Sequence, residues 1–198
     1  AITALSQKHP DNRNATAKRL VSYLTAPGTK LGNRAQRFLM TTSAFASDST
    51  ANQMSIAKVA GIAPVIVWLQ TGNQEAQAAA AHCVLSLATE NPMTQVAVAK
   101  AGGVPPLIGL IRKSSPQGQD FAARALWHLA SSEENQPAIV ESGAIKPLVA
   151  MLLAEWPHAA ELASIVLVRL MRGNSYVSVR VADQGGIVPL VRLLSDGS

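Results

Sequence analysis

Apolar residues in this 198-residue chain fall into short blocks with helical spacing, broken by glycine, proline and asparagine. Ala122, Ala125, Leu126 and Leu129 stand at i, i+3, i+4 and i+7, the spacing of one buried helix face. Segments 77–88, 119–130 and 161–171 share this make-up of small and aliphatic residues. Each is preceded by two shorter blocks, such as 95–99 and then Leu107, Ile108, Leu110 and Ile111. The pattern predicts a short helix, a sharp turn and two longer helices in each unit. An asparagine at 52, 91, 135 or 174 opens the unit, where its side-chain oxygen can accept a free amide of the first turn. Pro92 suits a first helical position, which has no use for an N–H. Gly102, Gly143 and Gly185 can take the left-handed conformation that reverses a chain behind a helix. A proline four residues later starts the second helix. In the first copy Ala60 occupies the glycine place and Gly61 follows it, so a differently shaped turn is expected there.

These units are copies of one another. Ala101-Gly102-Gly103-Val104-Pro105-Pro106-Leu107-Ile108 returns as Ser142-Gly143-Ala144-Ile145-Lys146-Pro147-Leu148-Val149 and as Gln184-Gly185-Gly186-Ile187-Val188-Pro189-Leu190-Val191. A weaker copy surrounds Pro64, and the prolines at 64, 106, 147 and 189 set a period of 41 to 42 residues. Self-similarity at this period marks a stacked helical repeat, a surface-builder more than a catalyst. We divide the chain into a degenerate terminal copy at 1–51, units at 52–90, 91–134 and 135–173, and a truncated unit at 174–198. In the first of these, 36–46 carries the third-helix pattern, 20–24 resembles a second helix, and Ala26-Pro27-Gly28-Thr29 reads as a loop. The last unit stops where its third helix should begin, which leads us to expect a segment of a longer protein. It should leave Leu190, Leu193 and Leu194 without cover, and end-to-end association at high concentration is the expected consequence.

The run Gly-Ala/Gly-Ile/Val-x-Pro-Leu-Val/Ile-x-Leu-Leu/Ile, with an Ala-Leu-x-x-Leu-Ala ending best seen at 125–130, resembles the armadillo repeat over about residues 52–198. HEAT repeats are of similar length, but the Gly-to-Pro turn into a second helix favours armadillo. The resemblance implies an all-α fold, a right-handed superhelical α-solenoid whose third helices line a concave groove. It also implies a protein or extended peptide as partner. Peptide-binding members carry an asparagine near the end of each third helix and often a tryptophan one turn earlier. The corresponding places here hold Ala44, Ser86, His128 and Arg169, and Met40, His82, Arg124 and Ile165. With neither ladder present, the chain is not of the nuclear-import adaptor type.

Charge refines the reading. Residues 1–50 hold seven Lys or Arg against two Asp, whereas the remainder is balanced, so the formal +5 belongs to the first quarter. That end is either a solvated cap or a surface for nucleic acid or acidic membrane, through Lys18, Arg19, Arg34 and Arg37. On the presumed groove, Arg124 and His128 share a helix face, as do Arg169 and Arg172. Guanidinium forks suit carboxylates or phosphates. The candidate partner-binding residues are therefore Arg124, Trp127, His128, Arg169 and Arg172, flanked by His82 and Ser86, and the candidate partner segment is acidic or phosphorylated. The plainer alternative is a solvated wall. In it Asp120 pairs with Arg124, Glu161 lies two turns from Arg169 on a similar face, and Trp127 packs between repeats.

Chemistry is not written in the chain. It contains no Gly-x-Ser-x-Gly elbow, phosphate-binding Gly-Lys-Ser/Thr loop or Gly-x-Gly-x-x-Gly. His82 and Cys83 are neighbours pointing about 100° apart on a helix, and the other histidines lack ligand spacing. No cofactor, metal site or enzyme activity is expected, and Glu133-Glu134 reads as loop decoration. Asn14-Ala15-Thr16 matches a glycosylation sequon by what we take as chance. One cysteine and no signal-like or membrane-length apolar run fit an intracellular, cytoplasmic setting, with the nucleus allowed. The expected function is a rigid scaffold that binds a partner segment in the groove. The alternative is a structural or targeting module packed against other domains of a larger protein.

Overall fold

The structure, a computed structural model, describes residues 10–25, 32–154 and 157–196. All regular elements among them are helical. They run α1 Pro10–Thr25, α2 Gly32–Ser47, α3 Thr50–Lys58, α4 Ile62–Thr71, α5 Gln74–Ala88, α6 Pro92–Lys100 and α7 Val104–Lys113. Then come α8 Pro116–Leu129, a 3-10 turn Glu133–Asn135, α9 Gln136–Glu141, α10 Ile145–Leu152, α11 Pro157–Met171, α12 Ser175–Asp183 and α13 Ile187–Asp196. The loop expected at 26–29 lies outside the described residues.

The long helices α2, α5, α8 and α11 stack on one another in order, and α4, α7 and α10 each pack against the long helix of their own unit. This is an α-solenoid. Ala76, Ala80, Ala81, Ala122, Ala123, Ala125 and Ala163 are fully buried. Their small side chains let the stacked helices approach closely, while Leu87, Leu126, Leu129 and Leu167 fill the space between layers. The long helices begin three or four residues before the segments read from sequence. The reason lies in caps such as Asn73 and Ser115, whose oxygens accept the amides of Ala76 and Gly118 at 3.0 and 3.3 Å.

The turns explain the glycines. Gly102, Gly143 and Gly185 have φ of +80, +79 and +76°, and α6 meets α7 at 83°. The first copy is not shaped differently. Ala60 takes the same left-handed conformation, with φ +56°, and α3 meets α4 at 84°. The hydrogen bonds match too: Gly61 N–H donates to Ile56 O at 2.9 Å, as Gly103 N–H does to Val98 O at 3.0 Å. The second helices start two residues before the aligned prolines, because the first-turn amides of a helix have no intrahelical acceptor and tolerate proline there.

The asparagines divide into two roles. Asn91 and Asn174 are N-caps, accepting from Thr94 and Val177. Asn52 and Asn135 are not. Ser49 caps α3 instead, and both asparagines are buried with their amides donating back to the preceding long helix, to Phe45 O at 2.8 Å and Leu129 O at 2.9 Å. The last carbonyls of a helix lack an internal partner, and these buried amides supply one. Gln53 goes further. Its Nε2 donates to Ser86 O and Thr89 O at 2.8 and 3.1 Å, and its Oε1 accepts from Asn91 at 2.8 Å, joining one unit to the next.

The ends differ from the middle. In α1, which extends well beyond the 20–24 segment, the Leu24 carbonyl accepts the Trp68 indole N–H at 3.1 Å, which ties the terminal copy to α4. At the other end Leu190 and Leu193 turn partly inward against the core, rather than standing uncovered as expected; the Leu194 side chain lies outside the described residues. The exposed apolar face consists instead of Tyr176, Val179, Ile187, Val188 and Val191.

Candidate functional site: the long-helix groove

The groove forms where α5, α8 and α11 line up side by side. Two adjoining hollows lie there. The first, about 700 Å³, is bounded by Trp127, Ser131, Glu133, Ile165, Val168, Arg169 and Arg172. The second, about 460 Å³, is bounded by His82, Leu85, Ser86, Arg124, Trp127, His128, Leu162 and Ile165. Trp127 and Ile165 belong to both and form the ridge between them.

All seven residues singled out from sequence therefore border one groove. Trp127 is half-buried, reaching the core on one side and both hollows on the other. The Arg169 guanidinium lies 4.9 Å above its ring and donates to Ser131 Oγ at 3.0 Å. An arginine held at two points loses little freedom when it meets a ligand. Among the described residues neither Arg169 nor Arg172 has a carboxylate within 4 Å; Glu161 sits instead near His158, 3.5 Å from Nδ1. Arg124 does pair with Asp120, at 3.1 Å, and Asp120 also meets His158 at 2.8 Å. That guanidinium is therefore part of a bridge between α8 and α11.

The two groove histidines favour the neutral form. Burial lowers the pKa of His128, and Arg169 lowers it further, partly opposed by Glu90. Burial alone lowers that of His82, whose ring stacks on Phe121 at 4.4 Å and lies 3.1 Å from Ser43 Oγ. Ser86 is only 5% exposed, and its hydroxyl is engaged by Ser43 at 2.7 Å and Ser47 at 2.9 Å, so it forms floor rather than wall. Cys83 is buried, its thiol pushed up to about 12, which leaves it unreactive. Among the described residues no group of His, Cys, Asp and Glu could hold a metal ion, and no single helix is long and apolar enough to cross a membrane. Glu134 is paired with Lys100 at 2.9 Å rather than standing free on a loop.

Sequence reasoning placed Ile165 along the groove without counting it as a partner contact, and it missed Val168, Leu85 and Leu162. The signal was available: Ile165 occupies the tryptophan place of its long helix, and Val168 precedes Arg169.

The family model for the Armadillo/beta-catenin-like repeat matches residues 91–131, the unit that carries Trp127 and the first of the arginines. The fold is that of an armadillo-repeat solenoid. A crystal structure of an engineered protein superposes on the chain with a TM-score of 0.82 and 26% identity, over 90% of this chain and 71% of the other. Computationally designed armadillo repeat proteins for modular peptide recognition give 0.83 at 23% identity, over 92% and 76%. A designed armadillo repeat protein in complex with the peptide (KR)4 gives 0.84 at 18%, over 100% and 84%. No curated protein sequence matches the chain.

Proposed function

We propose that this armadillo-repeat solenoid binds an extended segment of another protein in the long-helix groove, and that the segment is acidic or phosphorylated. One observation carries the reading: Arg169, fixed over Trp127 and on Ser131, stands beside Arg172 in a hollow where neither meets a carboxylate among the described residues. Glu133 on the rim offsets one of the two charges, leaving a net positive site. The structurally similar designed protein holds the basic peptide (KR)4. A hollow holding Arg169 and Arg172 repels such a sequence and suits its opposite. Arg124, His128, His82 and the wall formed by Trp127 complete the surface. Rigid packing of the long helices makes the groove a preordered platform, which limits the entropy lost on binding.

Fluorescence anisotropy with labelled Glu/Ser, phosphoserine/Ser and (KR)4 peptides tests it. The first two should bind and the third should not, and combined Arg124→Glu, Arg169→Glu and Arg172→Glu should abolish binding while the helical circular dichroism persists. Equal binding of all peptides, or no effect of the reversal, would place the partner surface elsewhere. A second reading rests on exposed Lys18, Arg19 and Arg37, which have no ion pair among the described residues; the Arg34 side chain, also part of that basic set, lies outside them. Salt-sensitive binding of duplex DNA that is lost on reversing these three would favour it. A location inside the cell is part of the proposal.

A further inference from the structure

The groove is not uniform. Its two hollows share the Trp127–Ile165 ridge but differ in chemistry. The hollow of about 700 Å³ holds Arg169 and Arg172, and the one of about 460 Å³ is walled by Leu85, Leu162 and Ile165. The polar groups of the smaller hollow are largely engaged. Ser86 is bound to Ser43 and Ser47, Arg124 to Asp120, and His82 lies against Ser43 and Phe121. Both histidines there favour the uncharged form. What remains is an apolar seat beside a cationic one.

We infer that the groove reads a two-position motif on an extended strand, an acidic residue at Arg169 and Arg172 and a large aliphatic residue across the Trp127 ridge. The inference rests on the groove reading above and gives it a register. Packed helices lie about 8–10 Å apart, and the hollows sit on successive long-helix junctions. Residues i and i+2 of a strand point to the same side about 7 Å apart, within side-chain reach of both. Residues i and i+1 point to opposite sides, and i+5 overshoots. One intervening residue is therefore the matching spacing.

The probes are fluorescein-labelled nine-residue peptides of Ser, Thr and Gly carrying one Glu and one Leu at i+1, i+2 or i+5, in both orders, with Glu-only and Leu-only controls. In one of the two orders the i+2 peptide should bind about 10-fold more tightly than the Glu-only peptide, the gain expected from burying a leucine side chain. The i+1 and i+5 peptides should match the Glu-only control. Leu85 borders the smaller hollow and not the larger, and it is only partly buried, so Leu85→Ala leaves the arginine hollow untouched. That variant should lose the leucine gain while still binding the Glu-only peptide. Glu-dependent binding with no gain from leucine, or the same gain at every spacing, overturns the motif and leaves the groove reading standing. Binding of neither Glu nor Leu peptides overturns both.

Discussion

Ala60 is a strained residue standing where the other units have glycine, and exchanging it should stabilise the solenoid. Its φ of +56° lies in the left-handed region, where an L-residue with a Cβ pays roughly 1–2 kcal/mol. Glycine removes that strain but makes the unfolded chain more flexible, at a cost of about 0.4–1 kcal/mol. The difference predicts that Ala60→Gly adds about 0.5–1 kcal/mol, or a rise of ~1–4 °C in Tm for a chain of this size. Two reverse substitutions separate backbone strain from sterics. A Cβ at Gly102 would meet nothing within 4 Å, so Gly102→Ala should destabilise through φ alone, by an amount close to the Ala60→Gly gain. A Cβ at Gly103 would come within 2.8 Å of Val98 Cγ1 and 3.0 Å of Ile66 Cδ1, so Gly103→Ala should cost more, although its φ of −73° is ordinary. Urea unfolding followed by circular dichroism measures all three. A neutral or destabilising Ala60→Gly, together with a harmless Gly102→Ala, would refute the claim that left-handed strain governs these turns.

Two further outcomes follow from the polar groups. Gln53 is 3% exposed and bonds two carbonyls and the Asn91 amide across a repeat junction. Gln53→Ala leaves buried groups unpaired and should cost about 3 kcal/mol, with faster hydrogen exchange at the end of α5. The groove histidines give opposite pH signatures in free and bound protein. Both have folded pKa values below 6.5, so the unfolded chain binds protons first as pH falls. Stability should therefore drop below pH 6.5 and level once pH passes the lower folded values. A bound carboxylate favours His128 in its charged form, so a Glu peptide should bind more tightly at pH 5.5 than at 7.5, and His128→Gln should flatten that profile in anisotropy titrations.

The fold was legible because its signals are local and repeated. Period, Gly-to-Pro turn and Ala/Leu face each state the same helix arrangement, and Ala122, Ala125, Leu126 and Leu129 are all fully buried as their spacing implies. The departures came where a local rule met a neighbour. Asn52 and Asn135 look like caps in one dimension, yet the carbonyl ends of α2 and α8 lie beside them and claim their amides. The turn at Ala60 looked irregular because sequence shows the side chain and not the φ that packing imposes. At the groove, helix spacing sufficed to bring the seven candidate residues to one surface. The pairing of Arg124 with Asp120 was legible as an i,i+4 contact, but the hold on Arg169 was not, since the hydroxyl and the ring that fix it lie 38 or more residues earlier in the chain.

The same contacts explain why the proposed binding falls to one half of the groove. Along the register of Ala44, Ser86, His128 and Arg169, the first offers a methyl group and the second a hydroxyl already shared by Ser43 and Ser47. That hydroxyl cluster, with Gln53 beneath it, fastens α2 to α5 and leaves little to offer a ligand. Beyond His128 the groove wall is apolar and open, with Ile165 and Val168 42% and 50% exposed. A stiff N-terminal half and a chemically open C-terminal half are thus consequences of one choice. Side chains at equivalent positions are spent either on joining repeats or on meeting a partner, and a short segment spanning two junctions is the ligand such a surface can hold.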